Sequence, residues 1–284
     1  MKKIKALLFA GGSGRIDLEE LECDGFELHH YACLTGSIMP PECAAAIKLH
    51  KPDFCIFVNV ARSIPVYNNF DWPKGPKYIT WALDDFRHSE TIENSDLHFT
   101  AIPSSAMKDK DIFLPVFSKK LSFKPFDKRK YSLGVIAHRA GVNVSYRGSK
   151  IQEVCNLNIP ENYVQYREYS DSIDLKEYNE TISHFKYGLN VAVYNDAFPN
   201  YRSFELGISG VLNVCPRPPK YNEDCLRELF EDYVVFYDDP KEVVDIVADH
   251  KYDADKMRRF FMEKHTFKQR LKIMFSYFGV NYPA

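Results

Sequence analysis

Four short stretches of this chain hold residue types that can do chemistry. The first is Gly11-Gly12-Ser13-Gly14-Arg15, directly after the apolar run Ile4–Ala10. Glycines there let the backbone approach a phosphate or sugar closely, and consecutive N–H groups form an anion nest. A plain strand-to-helix turn uses the same residues, and the run is not a full GxGxxG. The second stretch, Trp81 to His88, closes a strand with Asp84, Asp85 and His88. Either carboxylate can accept a proton from a hydroxyl or orient a polar substrate, and the imidazole can do both. Either Asp can instead cap a helix start. No third ligand stands at helix or strand spacing, so no metal site is expected. The third stretch is His138-Arg139-Ala140-Gly141, with Arg147 and Lys150 opening the next helix. Guanidinium forks suit a phosphate, while solvated surface cations would look the same.

The fourth stretch carries the most. A strand read over Leu189–Tyr194 and a loop lead to Asn200-Tyr201-Arg202-Ser203-Phe204-Glu205-Leu206-Gly207-Ile208-Ser209-Gly210. A helix beginning at Tyr201 offers an anion its N-terminal amides and dipole, with Arg202 and Ser203 as added donors. Glu205 on its first turn can accept both hydroxyls of a ribose or compensate the dipole. Gly207 and Gly210 allow close packing and a tight return to the next strand.

The elements needed to position these groups follow from the apolar runs. Strands are expected at Ile4–Ala10, Phe26–Cys33, Asp53–Val58, Lys77–Leu83, Leu97–Ile102 and Ile112–Val116, with a helix at Pro40–His50 opened by Pro40 and Pro41. The stretch Ser118–Lys130 holds Lys119, Lys120, Lys124, Lys128, Arg129 and Lys130 against Asp127, and it reads as a linker. The pattern then restarts. Strands are expected at Tyr131–Ala137, Tyr163–Arg167, Leu189–Tyr194, Val211–Cys215 and Val234–Tyr237. Helices are expected at Arg147–Asn156, Leu175–Phe185, Tyr201–Ile208, Leu226–Phe230, Lys241–Asp249 and Ala254–Tyr277. Strands alternating with helices predict parallel, doubly wound sheets in two Rossmann-like domains. Ligands of such sheets bind at the carboxyl ends of the strands.

Composition narrows the function class. The 284 residues are 45% hydrophobic and 14% aromatic, enough for sizeable cores, and the net charge of −2 excludes a wholly basic nucleic-acid binder. Seven cysteines without a CxxC pair read as free thiols in a reducing cytoplasm, not as zinc ligands or staples. No apolar run reaches the roughly 20 residues that span a bilayer, so no membrane span is expected.

With these residues in view, Arg202-Ser203-Phe204-Glu205 to Gly210 resembles the R-x-F-E-x-x-x-x-G helix of CgeB-like, group 1 GT-B glycosyltransferases. Val234 to Glu242 resembles their V-x-F-Y-D-D-P-x-E strand and turn, and His265-Thr266-Phe267-Lys268-Gln269-Arg270 their H-T-[FY]-x-x-R. Trp81 to Asp85 and Leu114-Pro115 resemble strand ends of their first domain more loosely. The resemblance implies a GT-B fold: an acceptor-side domain at residues 1–118, a linker at 119–130, a donor domain at 131–265, and a C-terminal helix from about 266 to 284 returning to the first domain, the two domains facing across a cleft. It implies a nucleotide-diphosphate sugar as co-substrate, UDP-linked, with no cofactor or metal, since cations and a helix dipole stabilise the leaving group. Glu205 would contact the ribose or sugar. The Arg202–Phe204 backbone, with Arg139 or Arg147, would hold the diphosphate. The expected donor set is therefore Gly11, Gly12, Ser13, Gly14, Arg139, Arg147, Lys150, Tyr194, Asn200, Tyr201, Arg202, Ser203, Phe204 and Glu205, with Asp84, Asp85 and His88 as catalytic residues. Where relatives carry a second acid upstream of the F-E helix, Asp196 is the nearest here. Transfer with retention is the expected outcome. The acceptor is a glycan or, through the basic stretch Lys119–Lys130, a hydroxymethylated phage DNA base. The alternatives are a non-catalytic nucleotide-sugar or glycan binder, and a sugar-nucleotide epimerase or hydrolase.

Overall fold

The apolar runs do pair in parallel, and they form two separate sheets. The computed structural model describes residues 3–11, 21, 23–33, 40–58, 70–83, 95–101, 111–138, 146–167, 175–192 and 199–283. The chain divides into unit 1, Met1–Val116 with Phe267–Ala284, and unit 2, Phe117–Thr266.

Unit 1 holds strands β1 (Ile4–Gly11), β2 (Phe26–Cys33), β3 (Phe54–Val58), β4 (Lys77–Ala82), β5 (Leu97–Thr100) and β6 (Asp111–Phe113), in the order β2-β1-β3-β4-β5-β6. Every neighbouring pair is parallel. Because β2 and β3 flank β1, the chain reverses its winding at β1, whose last residue is Gly11. Helix α1 (Pro40–His50) lays Cys43, Ala46 and Ile47 against Leu7, Phe9, Cys55 and Phe57. β3 and the Ala6–Ala10 part of β1 read as unbroken apolar runs because central parallel strands are covered on both faces.

In unit 2 the strands are β7 (Tyr131–His138), β8 (Asn162–Arg167), β9 (Phe185–Leu189), β10 (Leu212–Pro216) and β11 (Val234–Tyr237), in the order β11-β10-β9-β7-β8, all parallel. Helices α2 (Tyr146–Cys155), α3 (Leu175–Ser183), α4 (Tyr201–Ile208), α5 (Lys220–Phe230), α6 (Glu242–Asp249) and α7 (Ala254–Lys264) cross between or follow them. The winding reverses between β7 and β9, which is the switch point where ligands of such sheets sit.

Several ends shift by one to three residues, β6 among them (Asp111–Phe113 against the expected Ile112–Val116), and three differences have an identifiable cause. The expected helix to Phe185 and strand from Leu189 give way to a helix ending at Ser183 and a strand over Phe185–Leu189. The register decides this: Phe185 pairs with Tyr131, and Tyr187 with Leu133 and Leu212. α5 begins at Lys220 rather than Leu226, because Pro219 caps it and its carbonyl accepts from Asn222 N–H. The helix expected over Ala254–Tyr277 is two helices, α7 and α8 (Phe267–Ser276). His265 breaks it with φ −126° and ψ 24°, its ring bonded to Leu229 O at 2.9 Å.

α8 belongs to unit 1. Its buried Arg270 donates to Pro115 O at 2.8 Å and to Val116 O, and burial pushes that guanidinium's pKa down to about 9. Phe267 stacks on Trp81, and Phe275 on Phe54 at 4.5 Å. Within the H-T-F-K-Q-R motif, His265 and Arg270 thus bond backbone carbonyls and Phe267 packs on Trp81.

Within the basic stretch, Arg129 differs from its lysine neighbours. Arg129 is 4% exposed and donates to Lys124 O, Phe185 O, Gly210 O and Ser209 O at 2.6–3.1 Å. Lys124 pairs with Glu180 at 2.7 Å. Lys120, Lys128 and Lys130 are exposed. Arg129 is a staple of unit 2, because four carbonyl ends left by α4 and its neighbours need a donor.

Candidate functional site

α4 is seated by an asparagine network. Asn190, 2% exposed just past β9, donates to Asn200 Oδ1, Ser203 Oγ and Asn213 Oδ1 at 3.0–3.2 Å. Asn200 returns a bond to Asn190 Oδ1 and caps α4 by accepting from Ser203 N–H at 3.0 Å. Asn213 on β10 donates to Ser203 O. The helix start is thereby fastened to the carboxyl end of β9 and to β10. Gly207 lets α7 approach: a Cβ there would lie 2.2 Å from the Phe261 ring. Gly210, at φ +67°, makes the left-handed turn that returns the chain to β10.

On that seat three of the expected residues converge. Arg202, in the first turn of α4, donates from a terminal nitrogen to Ile136 O of β7 at 2.7 Å, across the switch point. Its Nε lies 3.7 Å from Glu205 Oε2, an ion pair too long for a hydrogen bond. Glu205 is 7% exposed, and its Oε2 accepts the Tyr178 hydroxyl at 2.6 Å. The Arg202 guanidinium lies 5.4 Å from the Tyr178 ring centroid, within cation–π range. Arg147, in the first turn of α2, stands in the same charge cluster. Burial first, then the positive charge of Arg202, push its pKa down to about 10, with Tyr178 opposing the fall. Among the described residues, the buried Nε atoms of Arg147 and Arg202 have no hydrogen-bond partner. Two guanidiniums at the starts of two helices, each with a buried donor of this kind, have the chemistry to receive an anion.

The remaining expected donor residues divide. Lys150 is paired with Glu153 of its own helix at 2.9 Å. The Ser203 hydroxyl and Asn200 amide are spent on the seat, and the Ser203 N–H is taken by the cap. Phe204 is fully buried against Phe230 and His265, so only its backbone faces the expected role. Tyr201 lies half-buried with its ring against Phe117. Gly11 ends β1 at the switch point of unit 1. Gly12, Ser13, Gly14, Arg139, Tyr194, Asp84, Asp85 and His88 lie outside the described residues, as does Asp196. Sequence reasoning missed Tyr178 and Asn190. Asn190 had a signal, a lone amide inside the apolar run Leu189–Val193; Tyr178 had none. In the D-D-P-x-E turn, Asp239 Oδ1 accepts from Lys241 N–H and Glu242 Oε2 from Asp238 N–H, so those carboxylates close the turn itself.

The sequence profile of the glycosyl transferase-like family matches residues 132–276, just over half of the chain. The chain belongs to that family. No curated protein sequence matches it. Among solved structures, it is similar to AviGT4, a glycosyltransferase involved in avilamycin A biosynthesis. The identity is 11%, over 99% of this chain and 100% of that one, with a TM-score of 0.56. It is also similar to a Listeria monocytogenes protein described as a candidate UDP-N-acetylglucosamine 2-epimerase. There the identity is 11%, over 99% and 98% of the two chains, with a TM-score of 0.55. The structure of accessory secretory proteins 1, 2 and 3 of Streptococcus pneumoniae matches at 13% identity and TM-score 0.53, over 86% of this chain and 57% of that one. At these identities the likeness is one of fold, and that fold is GT-B with its two Rossmann-like α/β units. By family the chain is a glycosyltransferase. Among the described residues no helix is long and apolar enough to cross a membrane.

Proposed function

We propose that unit 2 binds a nucleotide-diphosphate sugar, UDP-linked, and that the enzyme passes the glycosyl group to an acceptor hydroxyl with retention and without a metal. The observation that supports this reading most is the pair Arg147 and Arg202, whose buried Nε donors meet no partner among the described residues, Arg202 standing beside Glu205 at the β7/β9 switch point and Arg147 in the same charge cluster. A diphosphate would satisfy both donors, and its charge would be stabilised further by the starts of α2 and α4 as it leaves. Glu205 would take a ribose or sugar hydroxyl. Asp84, Asp85 and His88 are proposed to act on the acceptor as proton acceptor and orienting groups. The acceptor is a glycan or, through Lys119, Lys120, Lys128 and Lys130, a hydroxymethylated DNA base.

A thermal-shift panel of UDP-, GDP-, ADP- and dTDP-sugars tests the donor. The matching nucleotide should raise Tm by mass action, the UDP sugar most. Loss of the shift in Arg202→Met would tie it to this site, and no shift with any donor would refute the reading. The fold likeness to the candidate epimerase motivates a second reading, conversion of the sugar nucleotide itself. An isomerised nucleotide sugar appearing without any acceptor would favour it.

A further inference from the structure

The residue that joins the expected donor groups is one that no motif contains. Tyr178 stands on α3 and is 6% exposed, packed with Ile136, Ile182, Phe185 and Leu206 in the core of unit 2. A tyrosine buried this far among apolar side chains needs a partner for its hydroxyl. The partner it has is Glu205 Oε2, at 2.6 Å. Its ring meanwhile lies beneath the Arg202 guanidinium, 5.4 Å from the centroid. A phenol inside the core therefore touches both the carboxylate and one cation of the site, by different parts of the same ring.

We propose that Tyr178 is a positioning residue of the donor site, its hydroxyl setting the Glu205 carboxylate and its ring carrying the Arg202 guanidinium. The division of labour follows from chemistry. A carboxylate that holds a short bond from a fixed phenol keeps one rotamer, so it would meet a sugar hydroxyl in one geometry. A guanidinium resting on a ring face keeps its donors in one plane, aimed at a phosphate. The hydroxyl thus serves recognition of the sugar or ribose, and the ring serves recognition of the diphosphate.

The inference rests on the donor reading above, so the wild-type protein is measured first. Calorimetric titration with UDP-, GDP-, ADP- and dTDP-glucose selects the tightest nucleotide sugar, and inorganic pyrophosphate serves as the anion probe. If the wild type binds none of these, the donor reading itself fails and the inference falls with it. Where it binds, Tyr178→Phe should weaken the nucleotide sugar about tenfold, the scale of one bond to a charged group, and leave pyrophosphate unchanged. Tyr178→Leu should weaken both. In a Glu205→Ala background, Tyr178→Phe should add nothing, because the hydroxyl acts through that carboxylate. Tm measured on each variant separates these effects from loss of fold, which would lower both ligands together. The inference is overturned if Tyr178→Phe leaves the nucleotide sugar unchanged, weakens both probes equally, or keeps its full effect without Glu205.

Discussion

Replacing Arg147 by methionine should make the protein more stable and a poorer binder at once. The structure explains both signs. Arg147 holds a charge with its Nε buried and unmet, near a second guanidinium, and its pKa falls to about 10. At roughly 1.4 kcal/mol per pKa unit, a fall of that size from an ordinary arginine costs the folded state about 3 kcal/mol as an upper bound. Below pH 10 both the folded and unfolded chains carry the proton, so the full cost applies. As pH rises through about 10 the folded state loses its proton first, and the cost disappears toward the unfolded value. Methionine fills similar space without the charge. Part of the gain is lost to contacts of the guanidinium, leaving about 1–2 kcal/mol, or roughly 2–8 °C in Tm for a chain of this size. The same substitution removes one charged bond to the diphosphate, worth about 1.5–3 kcal/mol, so Kd should rise at least about tenfold. Thermal melts at pH 7.5 with and without saturating nucleotide sugar, together with calorimetric Kd values, read both effects. Loss of stability with an undiminished ligand shift would refute the reasoning and make Arg147 an ordinary structural cation.

Three further outcomes follow from the seat of α4 and from the basic stretch. Asn190→Ala leaves the Asn200, Ser203 and Asn213 side chains short of partners in a buried place, and should lower unfolding free energy by about 2 kcal/mol in urea titration. Gly207→Ala drives a Cβ to within 2.2 Å of the Phe261 ring and should cost about 1–3 kcal/mol, with donor affinity falling as α4 shifts; an unchanged melt would show that α7 yields freely. Lys119, Lys120, Lys128 and Lys130 replaced together by serine should leave Tm within about 1 °C, in contrast to Arg129→Met, since Arg129 alone of the stretch bridges four carbonyls. Equal transfer to a hydroxymethylated DNA acceptor by the serine variant at rising salt would rule out a role for those lysines in DNA binding.

Much of the fold was legible because its central strands, such as β3 and β10, are buried on both faces and read as largely apolar runs. β2 and α4 have the predicted bounds, and β1 extends one residue further, to Gly11. β9 was misplaced because Leu189 to Val193 is just as apolar as Phe185 to Leu189, and only pairing with β7 and β10 chooses between them. The break at His265 was hidden because periodicity continues through it; the deciding bond goes to Leu229, far back in the chain. Of the candidate site, Arg147, Arg202 and Glu205 could be read from helix starts alone, where charge and position are both local. Whether a cation faces inward is not local. Arg129 sits among lysines yet is drawn inside by carbonyls of Phe185, Ser209 and Gly210. Tyr178 escaped for the same reason, since its partner lies on another helix and nothing near it in sequence is polar in a telling way.

The most direct measurement is a crystal structure with the UDP sugar bound. The account predicts diphosphate oxygens within hydrogen-bond distance of Arg147 and Arg202, and a ribose or sugar hydroxyl on Glu205, at the β7/β9 switch point. A nucleotide bound away from both arginines, with their Nε donors still unmet, would contradict it.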